Sequence, residues 1–178
     1  MPRLFTGLEI PSETALMLSM LRGGLRGARW IDPENYHITL RFIGDIDDRT
    51  ADEVVDALDR IRRNPIEIRL DGLGSFGNGK PHAVWAGVQL TSALSELQSE
   101  QERILQRLHL PAERRKYVPH VTLARCKTSN NEDVAKWLCE RGNFQAPPFI
   151  AGRFVLFSAK SSVGGGPYLV EEAYPLAA

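Results

Sequence analysis

Cysteine is scarce in this sequence: two residues, Cys126 and Cys139, in 178. They form neither a CxxC pair nor a disulfide scaffold, so reduced thiols in a cytoplasm are the expectation. Net charge is missing as well, because 22 basic residues balance 22 acidic ones. That balance argues against a dedicated duplex binder with a broad positive footprint, but a local basic patch is enough for a small nucleotide or an RNA end. No stretch approaches the roughly 20 apolar residues of a membrane span. The start, Met1-Pro2-Arg3-Leu4-Phe5, opens no signal-type apolar run, which again points to a cytoplasmic protein without membrane attachment. Metal spacings are lacking too: there is no His-x-His, HExxH or CxxC, so two histidines would find no third ligand at a helpful distance.

Histidine is rare, with four residues, yet two of the four open the same tetrapeptide. These are His37-Ile38-Thr39-Leu40 and His120-Val121-Thr122-Leu123, 83 residues apart in a chain of 178. Strand alternation puts each His and Thr on one face and Ile38/Leu40 or Val121/Leu123 on the other. Two such strands facing one cleft supply two imidazoles and two hydroxyls. Histidine suits both halves of an acid–base pair, since its ordinary pKa near 6.5 leaves both forms populated around neutrality. Thr39 and Thr122 suit the non-bridging oxygens of a phosphoryl group, where negative charge accumulates during in-line attack. A single strand histidine is more simply a hydrogen-bonded, half-buried side chain. Repetition of the His, the Thr and the Leu together favours catalysis over two independent packing accidents. His82 and His109 read as surface or supporting residues.

Around the motifs, short apolar strands alternate with amphipathic helices. Strands are expected at residues 4–10, 36–43, 66–70, 83–88, 120–126, 149–157 and 168–174. The first helix starts with Ser12 as its N-cap and carries Ala15, Leu18, Leu21 and Leu25. A second follows Asp47-Asp48 and places Arg60, Arg62 and Arg63 in its last turns. A third spans about residues 92–108, and a fourth starts near Asn130-Asn131-Glu132-Asp133. Several strands are separated only by short turns, which favours an α+β protein with antiparallel sheets over a doubly wound parallel one. The motif spacing suggests an internal pseudo-duplication, so residues 1–178 are read as a single bilobal domain.

Two glycine-rich stretches are decoys. Gly72-Leu73-Gly74-Ser75-Phe76-Gly77 matches G-x-G-x-x-G, but Asn78-Gly79-Lys80-Pro81 lead into another strand and not into the helix that a dinucleotide site needs. Gly164-Gly165-Gly166 reads as a link between antiparallel strands. The second motif is flanked by Arg114, Arg115, Lys116, Arg125 and Lys127, so a phosphate chain is expected to approach from that side. Strict alternation places Arg125 with Leu123, away from the cleft. It is a phosphate-binding candidate only if the strand bulges. Tyr117, Phe5 and Phe42 could stack on a base, although aromatics near strands are more often core.

Arg3-Leu4-Phe5, Glu9-Ile10-Pro11, Arg29-Trp30, Asn35-Tyr36-His37-Ile38-Thr39-Leu40-Arg41-Phe42-Ile43-Gly44, Gly74-Ser75-Phe76, Val84-Trp85-Ala86-Gly87 and Pro119-His120-Val121-Thr122-Leu123-Ala124-Arg125 together resemble the LigT/ThpR branch of the two-histidine phosphoesterases. The resemblance implies a two-lobed, pseudo-symmetric LigT-like fold with antiparallel sheets facing a central cleft and helices outside. It implies an RNA 2′,3′-cyclic phosphodiesterase giving a 2′-phosphomonoester, with no metal or other cofactor. His37 would then be the proton donor to the leaving 3′-oxygen and His120 the acceptor that activates water; the residues themselves do not decide between the two roles. The C-terminal strand departs from the pattern, with Ser158-Ala159 where relatives carry an acidic or amide residue followed by Ser. Other readings are a small cyclic-phosphate nucleotide as substrate, 2′-5′ RNA ligation, or an RNA-end binding module with little turnover. A monomer without an obligate protein partner is expected.

Overall fold

Both motif strands start on their histidine. The computed structural model describes residues 3–159 and 166–177, and in it His37–Asp45 and His120–Cys126 are strands. In chain order the elements are β1 (Arg3–Glu9), α1 (Ser12–Ser19), β2 (Ala28–Trp30), β3 (His37–Asp45), α2 (Asp48–Leu58), β4 (Ile66–Ile68), β5 (Leu70–Phe76), β6 (Ala83–Val88), α3 (Ser92–Arg107), β7 (His120–Cys126), α4 (Asn131–Arg141), β8 (Phe149–Ala151), β9 (Arg153–Ala159) and β10 (Tyr168–Pro175). The architecture is α+β. The strands expected as two facing sheets are continuous, in the order β10-β9-β1-β3-β7-β6-β5, with β2 alongside β7; β4 and β8 form a separate pair.

The two halves of the large sheet meet at one register pair, Ile38 opposite Val121. Elsewhere the antiparallel pairing of each half is extensive, β1 with β3 and β9 in one and β6 with β5 and β7 in the other. Both motif strands carry a bulge at the same place. Thr6 and Gly7 oppose Arg41 and Thr39, skipping Leu40. Val84 and Trp85 oppose Ala124 and Thr122, skipping Leu123. A bulge inserts an extra residue and turns the following side chains to the other face. Accordingly, Leu40 and Arg41 are both buried and Phe42 is exposed, while Leu123 and Ala124 are both buried and Arg125 is exposed.

The helices bury their apolar stripes in one core that draws on both halves. Val54 and Leu58 of α2, Leu94, Leu97 and Leu105 of α3, and Val134 and Trp137 of α4 join Leu8, Ile38 and Val121. Three helices are capped by side chains: Asp47 accepts from the Thr50 amide (2.7 Å), Thr91 from Leu94 (3.3 Å) and Asn130 from Asp133 (2.8 Å), each satisfying an otherwise orphaned donor.

Several sequence expectations need correction: the strands expected at 66–70 and 149–157 each divide, with β4 and β8 leaving the large sheet to pair with one another. Ser12 is the first helical residue of α1, not its cap; Pro11 precedes the helix with no side-chain cap bond. That helix also ends at Ser19, ahead of Gly23 and Gly24 at φ of +91° and +76°, so Leu21 and Leu25 follow it. Likewise α2 stops at Leu58, so Arg60, Arg62 and Arg63 follow it, and the Arg62 guanidinium donates to the carbonyls of Asp59 and Ile61, satisfying acceptors just past the helix end. Arg63 instead reaches α3, pairing with Glu96 and Glu100. The G-x-G-x-x-G stretch lies largely in β5. Gly164 and Gly165 lie outside the described residues, but the strands on either side of that run, β9 and β10, pair antiparallel. Among the described residues no helix is long and apolar enough to cross a membrane.

Ile38 is fully buried at the joint between the halves. Ile38→Ala is expected to lower the unfolding free energy by about 2–5 kcal/mol, read as a lower urea midpoint at unchanged m-value.

Candidate active site

Pleating sends His37 and Thr39, and likewise His120 and Thr122, toward a single cavity of about 1070 Å³, which Phe42, Arg115, Lys116 and Arg125 also line. The four motif residues expected to act together therefore share one cleft.

Each imidazole is oriented by a carbonyl two residues upstream. His37 Nδ1 lies 2.9 Å from the Asn35 carbonyl oxygen, and His120 Nδ1 lies 2.7 Å from that of Val118. A carbonyl only accepts, so each Nδ1 carries the hydrogen and Nε2 is left for the cleft. Thr39 Oγ1 sits 3.1 Å from His37 Nε2 and donates to it when the ring is neutral. Sequence reasoning misses this device, because a backbone carbonyl leaves no mark on residue identity.

Aromatic rings hold both imidazoles. Around His37 lie Phe5, Phe157 and Tyr168, with centroids at 5.0, 5.5 and 5.0 Å. His120 has Phe76 at 4.8 Å and Trp85 at 5.7 Å. Phe5 and Phe157 belong to a small apolar cluster apart from the main core, so Phe5 is packing and not a free stacking platform. Phe42, 48% exposed, is open to the cleft, whereas Tyr117 is half-buried and donates through its hydroxyl to the Thr39 carbonyl (2.9 Å). Gly74 has no side chain because the Trp85 ring lies where one would be: a Cβ there would come within 2.3 Å of the indole, a close approach that only glycine allows in a strand.

Burial makes the charged imidazole costly. It pushes the His37 pKa down to about 4, against the Asn35 carbonyl, with the positive fields of His120 and Arg125 adding to the effect. His120 is lowered for the same first reason, its Val118 bond opposing and Arg125 reinforcing. A bound phosphate anion reverses these charge effects by replacing unfavourable positive fields with a favourable negative one.

Arg125 faces the cleft because of the bulge at Leu123, where alternation alone points it away. Arg41 takes the opposite course: the bulge at Leu40 buries it to 6% exposure, paired with Glu102 of α3. His82 and His109 are exposed, His82 at the edge of the cavity. Ser158 is buried and bonded to Glu171, so it turns away from the cleft, while Ala159 lines it. Both cysteines are free thiols. Among the described residues no group of three or more His, Cys, Asp or Glu is placed to hold a metal ion.

A family model for LigT-like phosphoesterases matches residues 8–85 and 88–168. An RNA 2′,3′-cyclic phosphodiesterase of Aquifex aeolicus is 32% identical over 152 residues, 82% of this chain and 81% of that one. Another from Aeropyrum pernix is 39% identical over 118 residues, 65% of this chain and 67% of that one. Among solved structures, Escherichia coli LigT complexed with 3′-AMP superposes with a TM-score of 0.78 at 20% identity, over 99% of both chains. A Thermus thermophilus protein gives 0.79 at 23% identity, over 98% of this chain and 97% of that one.

Three experiments test the site. In the free protein the His37 ring should titrate near pH 4 by NMR, and added inorganic phosphate should raise that midpoint. The unfolded chain binds the proton at about 6.5, so the His37 contribution to stability, at most roughly 3 kcal/mol, should be lost as pH drops from about 6.5 to 4 and change no further below that, where the carboxylates held below their ordinary range take over. Gly74→Ala, by displacing the indole beside His120, should destabilise the fold by about 1–3 kcal/mol and shift the His120 ring resonances.

Proposed function

The chain belongs to the LigT-like phosphoesterase family, and from that membership and the paired histidines we propose that it hydrolyses RNA 2′,3′-cyclic phosphate ends to 2′-phosphomonoesters. The observation that carries this reading is the duplication itself: two bulged strands, each with a carbonyl-locked His and a Thr, turned into one cleft. The chain acts as one bilobal unit, as a monomer, in a cytoplasm where its thiols stay reduced.

In this reading His120 Nε2 takes the proton of a water molecule whose oxygen attacks the phosphorus in line with the 3′-oxygen. The P–O3′ bond breaks, and protonated His37 gives its Nε2 hydrogen to the departing 3′-oxygen. Water has then supplied the new P–O bond, and the products are a 2′-phosphomonoester and a free 3′-hydroxyl. Thr39, Thr122 and Arg125 hold the non-bridging oxygens as their charge grows. The low pKa of His37 in the empty cleft does not oppose its role as donor: the phosphodiester anion beside it favours the imidazolium that the donor must be. After one turnover His120 carries the proton and His37 lacks it, and exchange with solvent restores the pair.

EDTA-treated protein should convert an oligonucleotide with a 2′,3′-cyclic phosphate end to the 2′-phosphate, with a bell-shaped pH–rate profile because one imidazole must be protonated and the other neutral. His37→Ala and His120→Ala should each lose about 10²–10⁴-fold in kcat, and the double variant should lose far less than the product of the two. Wild-type activity in either single variant would overturn the assignment. Turnover abolished by chelator alone would overturn the metal-free mechanism.

A further inference from the structure

The segment between α3 and β7, residues 108–119, contains no helix or strand, yet it is tied down at both ends to β3, the strand that begins on His37. At one end Arg41 donates to the Pro111 carbonyl, to the carbonyl of the neighbouring Phe42 and to the Glu102 carboxylate. Glu102 Oε1 in turn accepts from the Glu113 amide at 2.9 Å and from Gln106 at 2.8 Å. At the other end the Tyr117 hydroxyl donates to the Thr39 carbonyl. Between these anchors stand Arg115 and Lys116, exposed and lining the cleft. In the other half of the sheet the position equivalent to Arg41 is Ala124, which has no group to make such a tie. The anchoring is therefore not part of the duplicated acid–base machinery.

A mononucleotide 2′,3′-cyclic phosphate offers a single phosphate, which the histidines and threonines occupy. Every further residue of an RNA strand adds another, and the cations on this segment, exposed and lining the same cavity, are placed to meet them. The ion pair of Arg115 with Glu113 at 3.3 Å is exposed and exchanges readily for a phosphate. Resting on the reading of the cleft as an RNA-end site, we propose that Glu102 is a positioning residue: through Arg41 and the Glu113 amide it holds Arg115 and Lys116 against phosphates upstream of the cyclic end, so that the enzyme prefers oligonucleotides over mononucleotides.

The test compares an oligonucleotide ending in a 2′,3′-cyclic phosphate with a nucleoside 2′,3′-cyclic phosphate, across a salt series. The double variant Arg115→Ala/Lys116→Ala is expected to lower the oligonucleotide-to-mononucleotide ratio of kcat/KM about tenfold through the oligonucleotide KM, and to flatten the dependence of log KM on log salt by roughly 0.7 for each phosphate left without its cation. Glu102→Gln should reproduce the same pattern in part, with Arg41→Lys as a second variant that keeps the charge but removes the fork. A ratio and salt slope retained in the double variant would overturn the proposal. So would a Glu102→Gln or Arg41→Lys protein that loses kcat equally on both substrates. Wild-type protein that hydrolyses neither substrate would instead defeat the functional reading. The proposal is then decided by fluorescence-anisotropy binding of the same two ligands, where an unchanged affinity ratio in the double variant overturns it.

Discussion

A β-strand turns only every second side chain toward a ligand, and both motif strands break that rule at the same step. Ahead of the bulges at Leu40 and Leu123, ordinary alternation keeps an apolar side chain, Ile38 or Val121, at the joint between the halves. The bulges then give the cleft more than a His and a Thr. Beyond the bulge, Phe42 and Arg125 come round to the ligand side while Arg41 and Ala124 go inward. Alanine enters the core at no cost. A guanidinium cannot be buried unpaired, so Arg41 requires Glu102. That pair reaches across to the segment leading to His120. The basic lining of the cleft and the anchoring of its least regular segment thus both follow from one extra residue per strand.

The electrostatics of the cleft follow from the same geometry. Rings close in on both imidazoles, and their Nδ1 atoms are committed to backbone carbonyls. Each Nε2 therefore sits in a site where a proton is costly until an anion arrives. Burial dominates and the neighbouring positive groups add to it. Three rings surround His37 and two surround His120, so the duplicated motifs are chemically unequal although their sequences nearly match. Burial of Glu102 works in the opposite direction, pushing its carboxyl up. Hydrogen bonds from Arg41, Gln106 and the Glu113 amide outweigh that effect and hold it below the ordinary carboxylate range, as its role as a fixed anion requires.

Much of this is legible in the sequence. The bounds of β6 and β7, the α+β class and the shared face of each His with its Thr follow from alternation, spacing and turn chemistry, whereas the meeting of His37, Thr39, His120 and Thr122 in one cleft is implied only by the family resemblance. Those signals are local, and what they miss is non-local. Phe157 and Tyr168 reach His37 from distant strands, and nothing near His37 announces them. The bulges are invisible for a different reason: period-two reasoning assumes an unbroken ladder, so it places Arg125 on the wrong face and gives Arg41 no special part. The early ends of α1 and α2 escape notice because apolar spacing runs on past each helix into residues that are buried anyway, such as Leu25 and Ile61.

The joint at Ile38 and Val121 has a mechanical meaning. A sheet whose halves share one register pair resists bending mainly by its covering layers and side-chain ties, since its own ladder is thinnest there. Backbone pairing is dense along β1–β3 and β6–β7 and thinnest along the line that separates the two imidazoles. The spacing of His37 and His120 is thus set largely by side-chain packing and by polar ties from α3 and its following segment. A small change in the distance between the imidazoles therefore disturbs fewer backbone hydrogen bonds at this joint than a bend within either half would.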